Sequence, residues 1–192
     1  MMTPTHLLLS CGLLTRKHST LNNWSVVAGG VLPDSPMYVL FPWDRFVSGL
    51  PEEQIWSQRY WTDTWQIPVA IGHSMPLFAA VLAVGLALRL DWLKLFGLSA
   101  LLHAAADFVT HNDDAHMQLW PLTRWKFISP VSYYDPAHYG GIVSILEFVL
   151  MIVMLAVLWR RFDARWVKVA TGLALLAAIA VPAYFMLTHQ EM

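Results

Sequence analysis

Four stretches of this chain, around residues 67–88, 93–111, 140–159 and 167–187, run on as apolar sequence with few interrupting charges. An α-helix rises about 1.5 Å per residue, so about 20 apolar residues cross the ~30 Å hydrocarbon core of a bilayer. Within that core each backbone N–H and C=O must find its partner in the protein, which makes helices the expected solution for spans of this length. Composition agrees: 57% of the 192 residues are hydrophobic and only 13% are charged, where soluble domains carry about 25% charged residues. The expected fold is all-α, a polytopic membrane bundle of about five to six transmembrane or re-entrant helices forming one domain over residues 1–192.

The first helix is expected from about Thr3 to Thr15, ending at Arg16-Lys17-His18. Positive charge follows this apolar stretch instead of preceding it, so it reads as a short helix at the membrane edge and not as a cleavable signal. A second helix, capped by Asn22 or Asn23, meets Pro33-Asp34-Ser35-Pro36, where two prolines break it before Met37–Trp43. Helices follow at about Ile67–Leu88, Leu93–His111, Gly140–Trp159 and Val167–Leu187. The connectors 44–66 and 112–139 are more polar. Trp43, just before the first, and Trp56, Tyr60, Trp61 and Trp65 within it suit the headgroup level, where amphipathic rings are favoured.

One face of the fourth helix is not apolar. His103, Asp107 and His111 recur at i, i+4 and i+8 and share a face. Ionisable groups in a membrane span are costly and persist when paired, coordinated or lining a cavity. A His–carboxylate–His face suits a divalent ion: zinc above all, with manganese or ferrous iron as alternatives. The competing account is a His–Asp pair that only fixes helix packing. The single cysteine, Cys11, excludes an internal disulfide and a cysteine zinc cluster, and is read as packing.

Basic residues set the orientation. With the N-terminus outside, the inner turns hold eight (Arg16, Lys17, Arg89, Lys94, Arg160, Arg161, Arg165, Lys168) and the outer segments four (Arg45, Arg59, Arg124, Lys126). In a bacterial inner membrane this puts the N-terminus and both long connectors in the periplasm. Six of the eight histidines (His6, His73, His103, His111, His116, His138) then fall on the outer side, near Asp34 and Glu147. The metal-ligand candidates are His103, Asp107, His111, His73, His6 and Asp34, with Glu147 or Asp34 as the proton acceptor of a catalytic cycle. Asp113, Asp114 and His116 are expected to be solvated loop residues, and Asp135 and His138 to belong to a turn before Pro136. His18 and His189 suggest no role.

His6 after Thr3-Pro4-Thr5, Gly29-Gly30-Val31-Leu32-Pro33-Asp34, His73-Ser74, and His103-x3-Asp107 with Thr110 occur in an order that resembles the bacterial inner-membrane metal-dependent hydrolases. The resemblance implies a divalent-metal site in a helical bundle, and it covers the first two thirds of the chain. The family pattern Pro-Asp-x-Asp is here Pro33-Asp34-Ser35-Pro36, and of its His-Arg-Gly-x-Thr-His-Ser run only His73-Ser74 remains. The 102–114 stretch, Trp120-Pro121-Leu122 and the 129–138 run are similar to small membrane proteins labelled "cobalamin biosynthesis protein CobQ". The chain has no phosphate-binding glycine loop and no glutaminase cysteine, so no corrinoid chemistry is read from that label.

Two functions are consistent with these residues. One is a metal-dependent membrane hydrolase acting on a lipid-linked or envelope-derived small substrate. The other is a non-catalytic membrane protein that binds or transports a metal ion, proton or small ligand. Bis-histidine haem ligation by His73 and His103 is a weaker third, since it leaves the carboxylate beside His103 unused. The partner is the lipid bilayer; no basic patch suits nucleic acid.

Overall fold

A computed structural model describes residues 1–188, and His189 lies outside them. It is all-helical, with no strand among the described residues. Three helical stretches are long and apolar enough to cross a membrane: Asp63–Ala87, Asp91–Thr110 and Gly140–Arg161.

Helix α1 (Thr3–Leu14) lies against α2 (Thr20–Val31). Neither asparagine caps α2. Asn23 instead ties the preceding turn, taking the Arg16 N–H at 2.9 Å and donating to the Arg16 carbonyl at 2.8 Å. At Pro33 the helix tightens to a short 3₁₀ turn, Leu32–Asp34, and resumes as α3 (Ser35–Pro42). The 44–66 connector is largely helical, with α4 (Glu52–Ser57), and its last residues already belong to α5 (Asp63–Gly72). Trp43, Trp56 and Trp61 are exposed as the headgroup reading expects, but Tyr60 and Trp65 are buried with Ile55 in a small core of their own. A second carboxylate explains the difference: buried Asp44 accepts the Trp65 indole N–H at 2.7 Å and Arg59 Nε at 3.0 Å, so the polar edge of Trp65 is satisfied without water.

The span expected at 67–88 is two helices, α5 and α6 (Met75–Ala87), separated at His73-Ser74. The break is sealed by protein. Ser74 accepts the Leu77 N–H at 3.2 Å as the α6 cap, its hydroxyl donates to the Trp120 carbonyl, and Met75 N–H donates to the Gln118 carbonyl at 2.9 Å. Irregular backbone at membrane depth is tolerated when it is paired in this way. A tight turn leads to α7 (Asp91–Thr110), which packs on α6 and α2 more extensively than any other pair. Gly29 permits the α2–α7 approach, since a Cβ there would lie 2.5 Å from the Phe96 carbonyl oxygen. Last come α8 (Gly140–Arg161), seated on α1, and α9 (Arg165–Thr188), seated on α8.

The 112–139 loop covers one end of the bundle. It pairs the backbone groups that α7 leaves open at its C-terminus: Ser129 N–H donates to the His111 carbonyl at 3.1 Å and Tyr133 N–H to the Thr110 carbonyl at 3.0 Å. Asp135 and His138 form the expected turn, with Asp135 accepting the Ala137 N–H at 2.9 Å and His138 Nδ1 at 2.6 Å from its carboxylate. Cys11 is buried with Val26 and Leu158 in the core toward the opposite end.

Candidate metal centre

Asp34, His73, His103 and Asp107 come from three different places in the chain and converge so that one ligand atom of each lies within 4.8 Å of the others. Asp34 arrives at the Pro33 break, His73 at the α5–α6 break, and His103 with Asp107 on consecutive turns of α7. The two interruptions in otherwise helical spans thus both occur where a side chain must be delivered to this point. Gly72 lets them meet: a Cβ there would collide with the Pro33 carbonyl.

The distances describe ligands around a common centre. His73 Nε2 and His103 Nε2 each stand 3.1 Å from Asp107 Oδ2, and 3.4 and 3.3 Å from Asp34 Oδ1. Despite this proximity, neither Nε2 is aligned for a hydrogen bond, and both are buried without a partner. Ligands about 2.0–2.1 Å from a tetrahedral zinc sit about 3.4 Å from one another, each aimed at the middle and not at its neighbour. Buried polar atoms are otherwise nearly always hydrogen-bonded, so a packing pair does not account for these two nitrogens.

The opposite face of each ring fixes its tautomer. His73 Nδ1 lies 2.8 Å from the Val69 carbonyl and His103 Nδ1 3.1 Å from the Gly30 carbonyl. A carbonyl only accepts, so each Nδ1 carries a proton and each ring turns its Nε2 toward the centre. This is the outer support that metal-binding histidines commonly have. Asp34 does not cap α3. Its Oδ2 accepts the Thr3 hydroxyl at 2.5 Å, and Thr3 in turn accepts the Tyr38 hydroxyl at 2.8 Å.

The remaining candidates divide. His6 is fully buried and stacks on the His103 ring at 3.6 Å, while its Nε2 lies 2.8 Å from Asp107 Oδ1, the oxygen turned away from His73 and His103. His111 Nε2 approaches the same oxygen at 3.0 Å. Glu147 joins α8 to the start of α1, accepting Thr5 Oγ1 at 3.1 Å and Met2 N–H at 3.3 Å. Its described hydrogen bonds stop there, and its Oε1 is buried without a partner.

The loop departs from expectation at His116 and Asp114. His116 is only 6% exposed. Its ring lies 4.1 Å from His73 and 4.5 Å from His111, and Asp114 Oδ2 is 2.9 Å from His111 Nδ1. The cause is the anchoring of 118–120 onto the α5–α6 break, which folds the preceding residues into the bundle. Burial, together with neighbouring His73 and His111, holds the His116 imidazole well below its ordinary pKa, so it stays neutral with a free lone pair. Burial opposes protonation of His111 too, but the Asp107 and Asp114 carboxylates outweigh it and raise its pKa. The run His111-x2-Asp114-x-His116 was the available signal, since such spacing returns three candidate ligands to one helix end.

A cavity of about 410 Å³ opens beside these residues. Asp34, His73, His111, Asp114 and His116 contribute to its polar wall, and Met1, Met37, Tyr38, Tyr60 and Tyr133 are among the other residues that line it. The residues lining it include no lysine or arginine. No protein-family model, curated protein or solved structure matches the chain.

Proposed function

We propose that this chain is a metal-dependent hydrolase of the bacterial inner membrane, with its centre at Asp34, His73, His103 and Asp107 opening toward the periplasm. The observation that carries the reading is the pair of buried, unpartnered Nε2 atoms whose Nδ1 atoms are held by backbone carbonyls. The resemblance to inner-membrane metal-dependent hydrolases supports it, since His6, Asp34, His73, His103 and Asp107 are the residues that carry that resemblance. Orientation follows from the basic residues: the turns after α1, α6 and α8 are at the end remote from the centre, and Lys17 pairs there with Asp163 at 2.6 Å.

Two imidazoles and two carboxylates suit zinc, with manganese or ferrous iron as alternatives. An ion held there supplies Lewis acidity to a water or a substrate oxygen. Asp34 is placed to take the proton. Its Oδ1 faces the centre, and its Oδ2 begins a hydrogen-bonded path through Thr3 to the exposed Tyr38 hydroxyl. The cavity's methionine and tyrosine wall suits the amphiphilic end of a lipid-linked or envelope-derived substrate.

The test is the metal content of detergent-purified protein, paired with hydrolysis of a panel of lipid-linked esters and phosphoesters. At least one zinc, manganese or iron per chain is expected, with metal-dependent turnover, and both are expected to fail in H103A. Metal-free protein, even after reconstitution, sinks the reading. Bound metal without turnover, but with cation flux in proteoliposomes, replaces it with a transport role.

A further inference from the structure

We infer that the centre is dinuclear, with a second cation subsite formed by Asp107, His111 and His116 and with Asp107 bridging the two ions. This rests on the metal-site reading above and extends it to residues that the resemblance does not supply.

The two oxygens of one carboxylate face different partners. Asp107 Oδ2 faces His73 and His103, both at 3.1 Å, while Oδ1 faces the opposite way, toward His111 Nε2 at 3.0 Å. Ligand atoms of Asp107, His111 and His116 all lie within 4.8 Å of one another, and the three residues are buried. A carboxylate oxygen has two lone pairs. The His6 bond to Oδ1 at 2.8 Å uses one, and the Met1 ammonium, 2.8 Å from Oδ1 and 3.0 Å from His111 Nε2, stands at the other, so a positive charge already sits where the second ion would displace it. Paired-metal hydrolytic centres hold their ions about 3.5–4 Å apart, which a carboxylate bridge of this kind spans.

Unpaired atoms again separate a site from simple packing. His111 Nδ1 and Asp114 Oδ1 are both buried without a hydrogen bond. Asp114 Oδ2 is 2.9 Å from His111 Nδ1, out of line in this structure but near enough to orient the ring once Nε2 is engaged. The rings of His73 and His111 lie on either side of His116, at 4.1 and 4.5 Å. Imidazoles crowded in this way around one carboxylate are best satisfied by a shared cation, because protonating all of them would place like charges in contact. The chain has Ser35-Pro36 where the family pattern has its second carboxylate. The end of α7 and its folded-in loop supply ligands that this position does not.

The test uses full-length protein in detergent, stripped of metal and titrated with manganese(II), read by elemental analysis and electron paramagnetic resonance. About two manganese ions per chain with an exchange-coupled spectrum are expected. H116A should retain one ion and give the spectrum of an isolated one; retention of that ion also reports that the variant is folded. H111Q should behave likewise and guards against a defect peculiar to the loop. One ion per chain in wild type, unchanged in both variants and uncoupled throughout, overturns the dinuclear inference and leaves the proposed function standing. No bound ion in any protein overturns both.

Discussion

The two ends of this bundle are built on different principles. At the end remote from the centre Cys11, Val26 and Leu158 pack with Leu7, Leu14 and Phe162, and the main polar feature is Arg161 donating to the Thr15 carbonyl at 2.8 Å. At the end that carries the centre the buried residues include His6, His73, His103, Asp107, His111 and His116. Lipid tails are as apolar as leucine, so the apolar packing gains little over helices dispersed in the bilayer beyond van der Waals fit. The end with the centre joins α1, the α2–α3 break, the α5–α6 break and α7 through directional polar contacts. The residues that form the centre are therefore also those that select this arrangement of helices.

The strongest challenge to that contrast is Asp107→Asn. The side chain keeps its shape but loses the charge that faces four imidazoles, at 2.8–3.1 Å. Metal affinity should fall by more than about 100-fold, beyond the 10–100-fold typical of an outer-shell partner, and turnover should fall with it. Isothermal titration with zinc measures the first quantity. Affinity within a few-fold of wild type would reduce Asp107 to a packing residue and the two ends to a difference of composition.

Much of this was legible in the sequence. The apolar runs place the long helices and their order, though the 67–88 run is two helices, and His103-x3-Asp107 shares one face by periodicity alone. Asp34 and His73 were legible as polar residues in costly surroundings, because a proline break or a Ser-x-Pro stands beside each. What could not be read was their convergence: that Gly72 lies under the Pro33 carbonyl, or that Asp107 turns its two oxygens to different partners, is a matter of crossing geometry. The burial of His116 is hidden from the sequence for a related reason. Its neighbours Asn112, Asp113 and Asp114 have the composition of a solvated loop, and only the hydrogen bonds from Ser74 and Met75 to residues 118 and 120 pull it inward. Trp65 was placed at the headgroups because its partner Asp44 is 21 residues away in sequence.

Two glycine substitutions sharpen the comparison at the next scale of effect. Gly72→Ala puts a methyl against the Pro33 carbonyl, and a backbone group at the centre has nowhere to go. A loss of about 1–3 kcal/mol, typical of overpacking, is expected, together with weaker metal binding as Asp34 and His73 are pushed apart. Gly12→Ala meets Met154, whose sulfur is the nearest atom and whose unbranched chain can turn aside. It should cost less than Gly72→Ala and leave metal affinity unchanged. Thermal unfolding in detergent, with and without zinc, measures both. Equal losses, or a metal defect in Gly12→Ala, would mean that strain spreads through the bundle without regard to which end receives it.

The smallest expected effect tests where the polar contribution to helix association stops. Ser99 is fully buried between the two ends, and its hydroxyl donates to the Val26 carbonyl at 2.7 Å across the α2–α7 interface. That carbonyl already has its place in the α2 helix, so the serine bond is an addition and its removal strands no obligatory partner. Interhelical side-chain bonds in membranes average about 0.6 kcal/mol. Ser99→Ala should lower stability by about that amount without altering zinc affinity, because His103 is held one turn further on by the Gly30 carbonyl at 3.1 Å. A zinc titration on this variant is the sharper measurement. A fall of about tenfold in affinity, equivalent to about 1.4 kcal/mol, would show that α2 shifts along α7 when Ser99 is lost and carries the Gly30 carbonyl away from His103, extending the directional region a full turn toward the end remote from the centre.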